Sequence, residues 1–505
     1  MKERTRRIDA DANRESDGTV VPKKSPNKEA PASAEVVEGR VSAKRNAGED
    51  TTTRTQSRKM VSFGLEGVRT RAMTDKSCCF TALLHHITEE LLRQSFYELK
   101  RKAKPGIDGV TWQDYEKQLE ERLPKLHAEI HKGSYRAKPV KRVYIPKGDG
   151  RQRPLGITAI EDKLVQQAVV KVLTPIYEAN FLGISYGFRP DRDQHRALDA
   201  LAAGILTRPV SWILDADIEG FFDKIPHETL LTLIQKRVGD KRVLRLISKW
   251  LKTGYSEDGT IHRQTEGTPQ GAVISPLLAN IYLHYALDEW VKDEWRTGTH
   301  GEIIMVRFAD DFVLGFQYKI EAERCLTAMR ERLAEFGLRL HPEKTRLIEF
   351  GRYASERRKN RGKGKPETFN FLGFTHLCSV NKKGWYFLKR HTTSQRLRQK
   401  VRKITDKLKK KMHRPITETG EWLKSVVQGF GNYAGVPGNY KALQRYRGLV
   451  IRAWLKSLRR RSQKGRVMTW ERFMSIAEAY IPHLRQCHEF PEVRFAKTQS
   501  KSRMR

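Results

Sequence analysis

Two adjacent aspartates, Asp310 and Asp311, lie between Ile303-Ile304-Met305-Val306 and Phe312-Val313-Leu314. Apolar, partly β-branched runs on both flanks read as the arms of a buried hairpin, with the carboxylates at or near its turn. Like charges in a dry setting repel, and a divalent cation between them would relieve that. An Asp-Asp dipeptide by itself is usually a solvated turn, so this pair gains meaning only from its company.

That company begins with Trp212-Ile213-Leu214-Asp215-Ala216-Asp217-Ile218-Glu219-Gly220-Phe221-Phe222-Asp223, an apolar strand running into a carboxylate, a glycine and two aromatics. Asp217 precedes Asp310 by 93 positions, so any meeting of the two is tertiary. If their strands neighbour each other in one sheet, three carboxylates converge and can hold two Mg²⁺ ions roughly 3.5–4 Å apart, a geometry suited to in-line displacement at phosphorus. By alternation Asp215 shares the face of Asp217, but Asp217 is nearer the strand end, where sites are open.

Charge points the same way. The chain has 505 residues with 97 Lys and Arg against 59 Asp and Glu, a net charge of +38. A surplus of that size implies a polyanionic partner, with nucleic acid as the default. No apolar run reaches the ~18 residues a membrane span needs, so no membrane partner is expected. The N-terminus mixes arginines with Glu3, Asp9, Asp11 and Glu15 and lacks an apolar core segment, which argues against a signal or transit peptide. Cys78, Cys79, Cys325, Cys378 and Cys487 show no C-x-x-C spacing, which speaks against a disulfide framework or a structural zinc and fits a reducing compartment.

Along the chain, residues 1–62 contain no aromatic residue and read as disordered, with order expected from about Leu83. Helical spacing is expected for Leu84 to Leu92, Trp112 to Ile130, Glu161 to Leu173 and Ser275 to Trp290. Strands are expected at Val140 to Pro146, Trp212 to Ile218 and Ile303 to Phe316, an α+β pattern. Ser275 would cap its helix, with Pro276 at the first helical position. Residues 352–366 read as an exposed loop. Beyond Thr392 only helices are expected: a stripe at Leu397, Val401, Ile404 and Leu408, a second helix from Trp422 ended by Gly431, and a third through Leu443, Tyr446, Val450 and Trp454. The division implied is 1–70 as a disordered basic extension, 71–380, 381–465 as a helical domain, and 466–505 as a short basic region, either DNA-binding or a tail.

The motifs together resemble reverse transcriptases, and more narrowly the proteins encoded by bacterial group II introns. Asp217 to Asp223 resembles their motif A, and Phe308-Ala309-Asp310-Asp311 their motif C, with Phe in place of the usual Tyr. Arg142 to Ile157 resembles the fingers hairpin, and Ser185 to Pro190 is a further signature. Gly267-Thr268-Pro269-Gln270-Gly271 with Ser275 to Asn280 resembles motif B, Gly337 to Thr345 motif D, and Phe369 to Phe374 the primer grip. The resemblance covers roughly residues 83 to 475. It implies a right-hand polymerase of fingers and palm at 71–380 followed by an all-α thumb or maturase domain. Asp217, Asp310 and Asp311 would be the catalytic metal ligands with the Ile218 backbone carbonyl, holding two Mg²⁺ ions. Lys147, Arg153, Phe221, Gln270 and Lys344 would contact the nucleotide, Phe221 as a gate against the ribose 2′-hydroxyl, with Phe222 competing for that role.

The function implied is RNA-directed DNA polymerisation by a chain that also binds its intron RNA as a splicing maturase and supports mobility by target-primed reverse transcription. The partners would be group II intron RNA, an RNA template, a DNA primer, target DNA and dNTPs, with a homodimer left open, in the bacterial cytoplasm with nucleoid or ribonucleoprotein. Cys487-His488 has no second cysteine pair after residue 460, so no HNH endonuclease is expected, and priming would use a nick or nascent strand. Two other readings stay open: a splicing cofactor whose polymerase is dispensable, and a domesticated or defence-associated reverse transcriptase.

Overall fold

The computed structural model describes residues 64–146, 152–295, 298–381 and 384–503. The expected disorder of residues 1–62 and the expected role of Lys147 lie outside them. Ordered chain reaches back further than Leu83, because 64–74 form a helix that buries Val68 and Ala72. Two inward residues one turn apart are too sparse a stripe to read from sequence.

The architecture is α+β, as expected. The first sheet has the order β2-β1-β4-β5, from β1 (Val140–Pro146), β2 (Gln152–Ile157), β4 (Tyr255–Glu257) and β5 (Thr260–His262). β1 and β2 form the expected hairpin, in register from Lys141↔Ile157 to Pro146↔Gln152. Beside it runs the helix Ile160–Glu178, which buries Leu164, Val165, Val169, Val172 and Leu173. The expected single helix from Trp112 is two, Trp112–Lys117 and Leu119–Lys132, the first opened by a capping box between Thr111 and Asp114.

The central sheet has the order β6-β7-β3-β8, from β3 (Trp212–Asp217), β6 (Ile303–Phe308), β7 (Asp311–Phe316) and β8 (Arg346–Glu349), all antiparallel. One face sends Leu214, Ala216, Phe312 and Leu314 into the core beneath. The other packs Ile213, Val306, Val313 and Ile348 against the helix Gln194–Thr207 and against Phe369, Phe371 and Phe374. Both faces are covered, which explains the near-continuous apolar runs around the aspartates. A three-stranded sheet follows, β11-β10-β9, from β9 (Phe369–Phe371), β10 (Phe374–Val380) and β11 (Tyr386–Thr392). Within the expected loop 352–366 stands a short helix, Ala354–Asn360, whose Arg357 reaches Glu349 at 3.3 Å; Arg361, just past it, also pairs with Glu349. That buried carboxylate was invisible to a reading of the basic segment alone.

Arg307, one residue before Phe308, is fully buried, as is Asp288. Its guanidinium donates to Asp288 at 2.7 and 2.5 Å, to Asn280 Oδ1 at 2.9 Å and to the Ala309 carbonyl at 3.0 Å. Asn280 in turn donates to the Gly187 carbonyl at 2.7 Å. A Cβ at Gly187 would overlap the Ala309 nitrogen, so the segment Ser185 to Pro190 can lie on this turn only with glycine there. The network fixes a turn whose first residue, Ala309, takes φ +58°, a left-handed conformation costing a residue with a Cβ about 1–2 kcal/mol.

The C-terminal helices form their own core. Ser394–Lys410, Ile416–Ala434 and Tyr440–Arg459 match the expected stripes, except that the second helix runs through Gly431, where Leu484 packs. A fourth helix, Trp470–Tyr480, joins them through Phe473, Ala477, Ile481 and Leu484. The bundle therefore continues past the expected boundary at 465. The helix Pro491–Arg503 packs against Gln194–Thr207, with Arg494 3.2 Å from Asp199.

Two predictions follow from this packing. Phe473→Ala removes a fully buried ring set edge-on to Trp454 at 5.5 Å, and denaturant titration should show a loss of about 3–5 kcal/mol in the bundle's transition. Arg307→Met strands Asp288 as a buried charge. Denaturant titration should show a loss of about 3–5 kcal/mol in the transition of the sheet-containing part of the chain.

Candidate polymerase site

Asp217 and Asp311 are directly opposed across β3 and β7, the terminal pair of that ladder, so their side chains leave the same face. Asp310 occupies the two-residue turn from β6 to β7, since Phe308 pairs with Asp311. The three expected residues are thus neighbours at one end of the sheet although 93 positions separate Asp217 from Asp310. Asp311 is pushed well above the usual carboxylate range, first by burial and then by the charges of Asp310, Asp215 and Asp217.

Asp215 shares this face but is engaged elsewhere, 3.2 Å from Arg346. Burial raises its carboxyl, and the Arg346 hydrogen bond and charge oppose that. The Asp217 side chain accepts from Lys344, so the lysine expected beside the leaving group stands against the first carboxylate. Beyond β3 the chain pairs with Leu340: His341 N–H donates to the Asp217 carbonyl at 2.8 Å, and Glu219 N–H to the Arg339 carbonyl at 2.8 Å. That pattern makes Ile218 and Leu340 a non-hydrogen-bonded pair, which turns the Ile218 carbonyl to the opposite edge, the side of β7. Among the described residues no three His, Cys, Asp or Glu side chains close on one metal-sized point. The donor chemistry nevertheless suits a hard cation: oxygens only, crowded with like charge at Asp311.

The surroundings bring in the remaining expected residues, with corrections. After Gly220 at φ +60° a short 3₁₀ turn, Phe221–Asp223, buries Phe221 at 2% exposure against Tyr282. A ring sealed in the core cannot line a cleft. Phe222 is the half-buried one of the two, and its carbonyl accepts from Thr268 N–H at 2.7 Å. Gln270 donates to the Asp223 carboxylate at 3.1 Å and offers its carbonyl to Gly156 N–H at 2.6 Å, tying the Gly-rich loop to β2. Arg142, Gly156, Asp223, Thr268 and Gln270 line one cleft, and Arg142 lies 3.1 Å over the Tyr255 ring. Arg153 sits on β2 opposite Ile145. Ser275 does not cap its helix; its hydroxyl donates to the Pro269 carbonyl at 2.9 Å, bracing the loop instead.

Several positioning residues escaped the sequence reading. Arg307 and Asp288 belong to elements read only as strand and helix, and Asn280 was read as the end of the motif B resemblance, with no positioning role. The clue available was polar residues at inward positions of apolar runs, where an unpaired charge would be costly.

A family model described as reverse transcriptase (RNA-dependent DNA polymerase) matches residues 145–376. Protein YkfC of Escherichia coli (strain K12) is 35% identical over 316 residues, 55% of this chain and 82% of that protein. Group II intron-encoded protein LtrA of Lactococcus lactis subsp. cremoris is 41% identical over 199 residues, 39% of this chain but only 32% of its own length. Nuclear intron maturase 1, mitochondrial, of Arabidopsis thaliana is 31% identical over 109 residues, 21% of this chain and 14% of that protein. With its carboxylates opposed across an antiparallel sheet and most of one relative covered, the chain belongs to the reverse transcriptases, RNA-directed DNA polymerases.

Proposed function

We propose that Asp217, Asp310 and Asp311, with the Ile218 carbonyl, hold two Mg²⁺ ions and extend a DNA primer on an RNA template with dNTPs. The observation that carries this is the terminal cross-strand pair Asp217↔Asp311 with Asp310 in the adjoining turn. Bound there, the metals would lower the pKa of the primer 3′-hydroxyl and neutralise the leaving pyrophosphate. The chain's own part is to fix the carboxylates through Arg307 and the strained turn. Arg153 offers a cation to the triphosphate from β2, and Lys147 does so in the sequence-based reading. Gln270 borders the nucleotide from the braced loop. Phe222 takes the place expected of Phe221 as the ring against the sugar. Lys344 begins on Asp217 and is within reach of an incoming phosphate.

We further propose that the helical region binds a group II intron RNA, making the chain a splicing maturase that supports mobility by target-primed reverse transcription in a bacterial ribonucleoprotein. The likeness to LtrA supports this. So does the helix Ser394–Lys410, which buries Leu397, Ile404 and Leu408 and is otherwise dense in Lys and Arg, a surface suited to RNA backbone. A second reading is a reverse transcriptase working apart from any intron, since the likeness to LtrA covers only 32% of that protein.

Asp310→Ala with Asp311→Ala should lower complementary-DNA synthesis by about 10³-fold or more while leaving splicing of the flanking intron RNA near wild type. Primer extension by the double variant would refute the site. Absence of splicing by the wild-type chain would favour the second reading. Phe222→Ala should relax selection against ribonucleotides by about tenfold or more in competition assays. Phe221→Ala should instead lower stability by about 3–5 kcal/mol.

A further inference from the structure

The helix Ile160–Glu178 carries two polar side chains on its buried face, Asp162 at 2% exposure and Gln166 at 1%. Buried polar groups are costly unless bonded. Asp162 accepts from the Tyr135 hydroxyl and from the Lys138 N–H. The Gln166 side-chain oxygen accepts from the Val273 N–H at 3.0 Å, across 107 positions of sequence.

Val273 follows directly on the Gly-rich loop Gly267 to Gly271. At the loop's entry, Gly267 N–H donates to the Ile225 carbonyl at 2.7 Å, and the Gly267 carbonyl accepts from the buried His227 Nε2 at 2.7 Å. Its middle is tied to β2 through the Gln270 carbonyl and Gly156 N–H. Past Gly271, at φ +105°, the chain turns back with Ala272 N–H on the Pro269 carbonyl at 3.1 Å. The next donor along is the Val273 N–H that Gln166 holds.

The loop is also a partition. Thr268, Pro269 and Gln270 line the cleft with Arg142 and Asp223. Pro269 and Ala272 also line a second cavity, together with Asp162, Gln166, Trp250 and Ser275. A void supplies no partner atoms to its lining, so packing alone does not fix the loop on that side. Hydrogen bonds do, from Ser275 to Pro269 and from Val273 to Gln166.

We infer that Gln166 is a positioning residue for nucleotide binding, holding the exit of the Gly-rich loop through the Val273 N–H so that Pro269 and Gln270 keep their places in the cleft wall. The inference rests on the reading of that cleft as the nucleotide site. It goes beyond it by assigning a role to a helix residue that lines the second cavity rather than the cleft. Without the acceptor, the loop's exit is free to shift toward the cavity and take Gln270 with it. The effect falls on dNTP binding, because Asp217, Asp310 and Asp311 stand on other elements. One hydrogen bond of this kind shifts an equilibrium about three- to tenfold.

The test uses the full chain with an annealed RNA template and DNA primer. Gln166→Met keeps the side chain's length and deletes the acceptor; Gln166→Glu keeps an acceptor whether charged or protonated. Gln166→Met should raise the KM for dNTP about three- to tenfold, with kcat and primer–template affinity within about twofold of wild type. Gln166→Glu should recover most of that loss. A folded Gln166→Met with the wild-type KM would overturn the inference. So would a fall in kcat or melting temperature with KM unmoved, and so would a Gln166→Glu as defective as Gln166→Met. Thermal melting identifies a Met variant that fails to fold; Gln166→Leu, equally without an acceptor, then decides. Gln270→Ala separates the two claims. If it leaves the KM for dNTP unchanged, the reading of the cleft is what fails; if it raises KM while Gln166→Met does not, only the role of Gln166 fails.

Discussion

Two carboxylates opposed across a cross-strand pair repel each other, and a fold that keeps them there must oppose that repulsion by construction. Asp217 and Asp311 are such a pair, with Asp310 adjoining and Asp215 on the same face. The opposing structure lies on the other side of the turn. Arg307 carries a buried positive charge to its backbone and is satisfied by Asp288, Asn280 and the Ala309 carbonyl. A buried ion pair of this kind contributes little net stability against an apolar replacement, yet breaking it is severe. Its value lies in geometry: one guanidinium joins a strand, a helix and a strained turn whose conformation the carboxylates require.

The cleft shows the same economy of means. The loop Gly267 to Gly271 is held at both ends, by Gly267 N–H on the Ile225 carbonyl at 2.7 Å and by the Gln270 carbonyl on Gly156 N–H. Ser275 braces it from behind through Pro269. Backbone groups therefore set the distance between the first sheet and the catalytic sheet, and side chains such as Arg142 and Gln270 are left to face the cleft. Preorganised backbone of this kind loses little freedom when a nucleotide arrives.

Much of this was legible in the sequence, for identifiable reasons. The strands at Val140, Trp212 and Ile303 are apolar runs bounded by turn residues, and the bundle helices carry clean stripes at Leu397 to Leu408 and Leu443 to Trp454. What was missed involves tertiary choice. Sequence could not decide which of two adjacent aromatics enters the core, and Phe221 does. It could not see that Gly431 is a helical residue whose missing Cβ leaves room for Leu484, or that Ser275 prefers a loop carbonyl to its own helix end. The short helix at 354–360 owes its place to Glu349, a strand residue outside the segment. The site was legible as residue types in order; its support was not, because Arg307 acts through Asp288 and Asn280, which lie on other elements.

The bundle's attachment to the catalytic sheets carries the same lesson one step further. Its interior is apolar, with Phe430 stacked on Tyr446 and Phe473 edge-on to Trp454, and such packing fixes shape without choosing an orientation toward a neighbour. Orientation comes from buried polar ties at the junction. Asn439, fully buried, accepts from Thr392 N–H at 3.0 Å and donates to the Thr392 hydroxyl and the Ala434 carbonyl, both at 2.8 Å. Asp199 sits between Arg390 and Arg494, each at 3.2 Å. Paired polar groups in a low-dielectric junction tolerate few alternative arrangements, because a slip breaks the pairing. These ties favour one orientation of the bundle toward the three-stranded sheet, because sliding it would break the Asn439–Thr392 bonds.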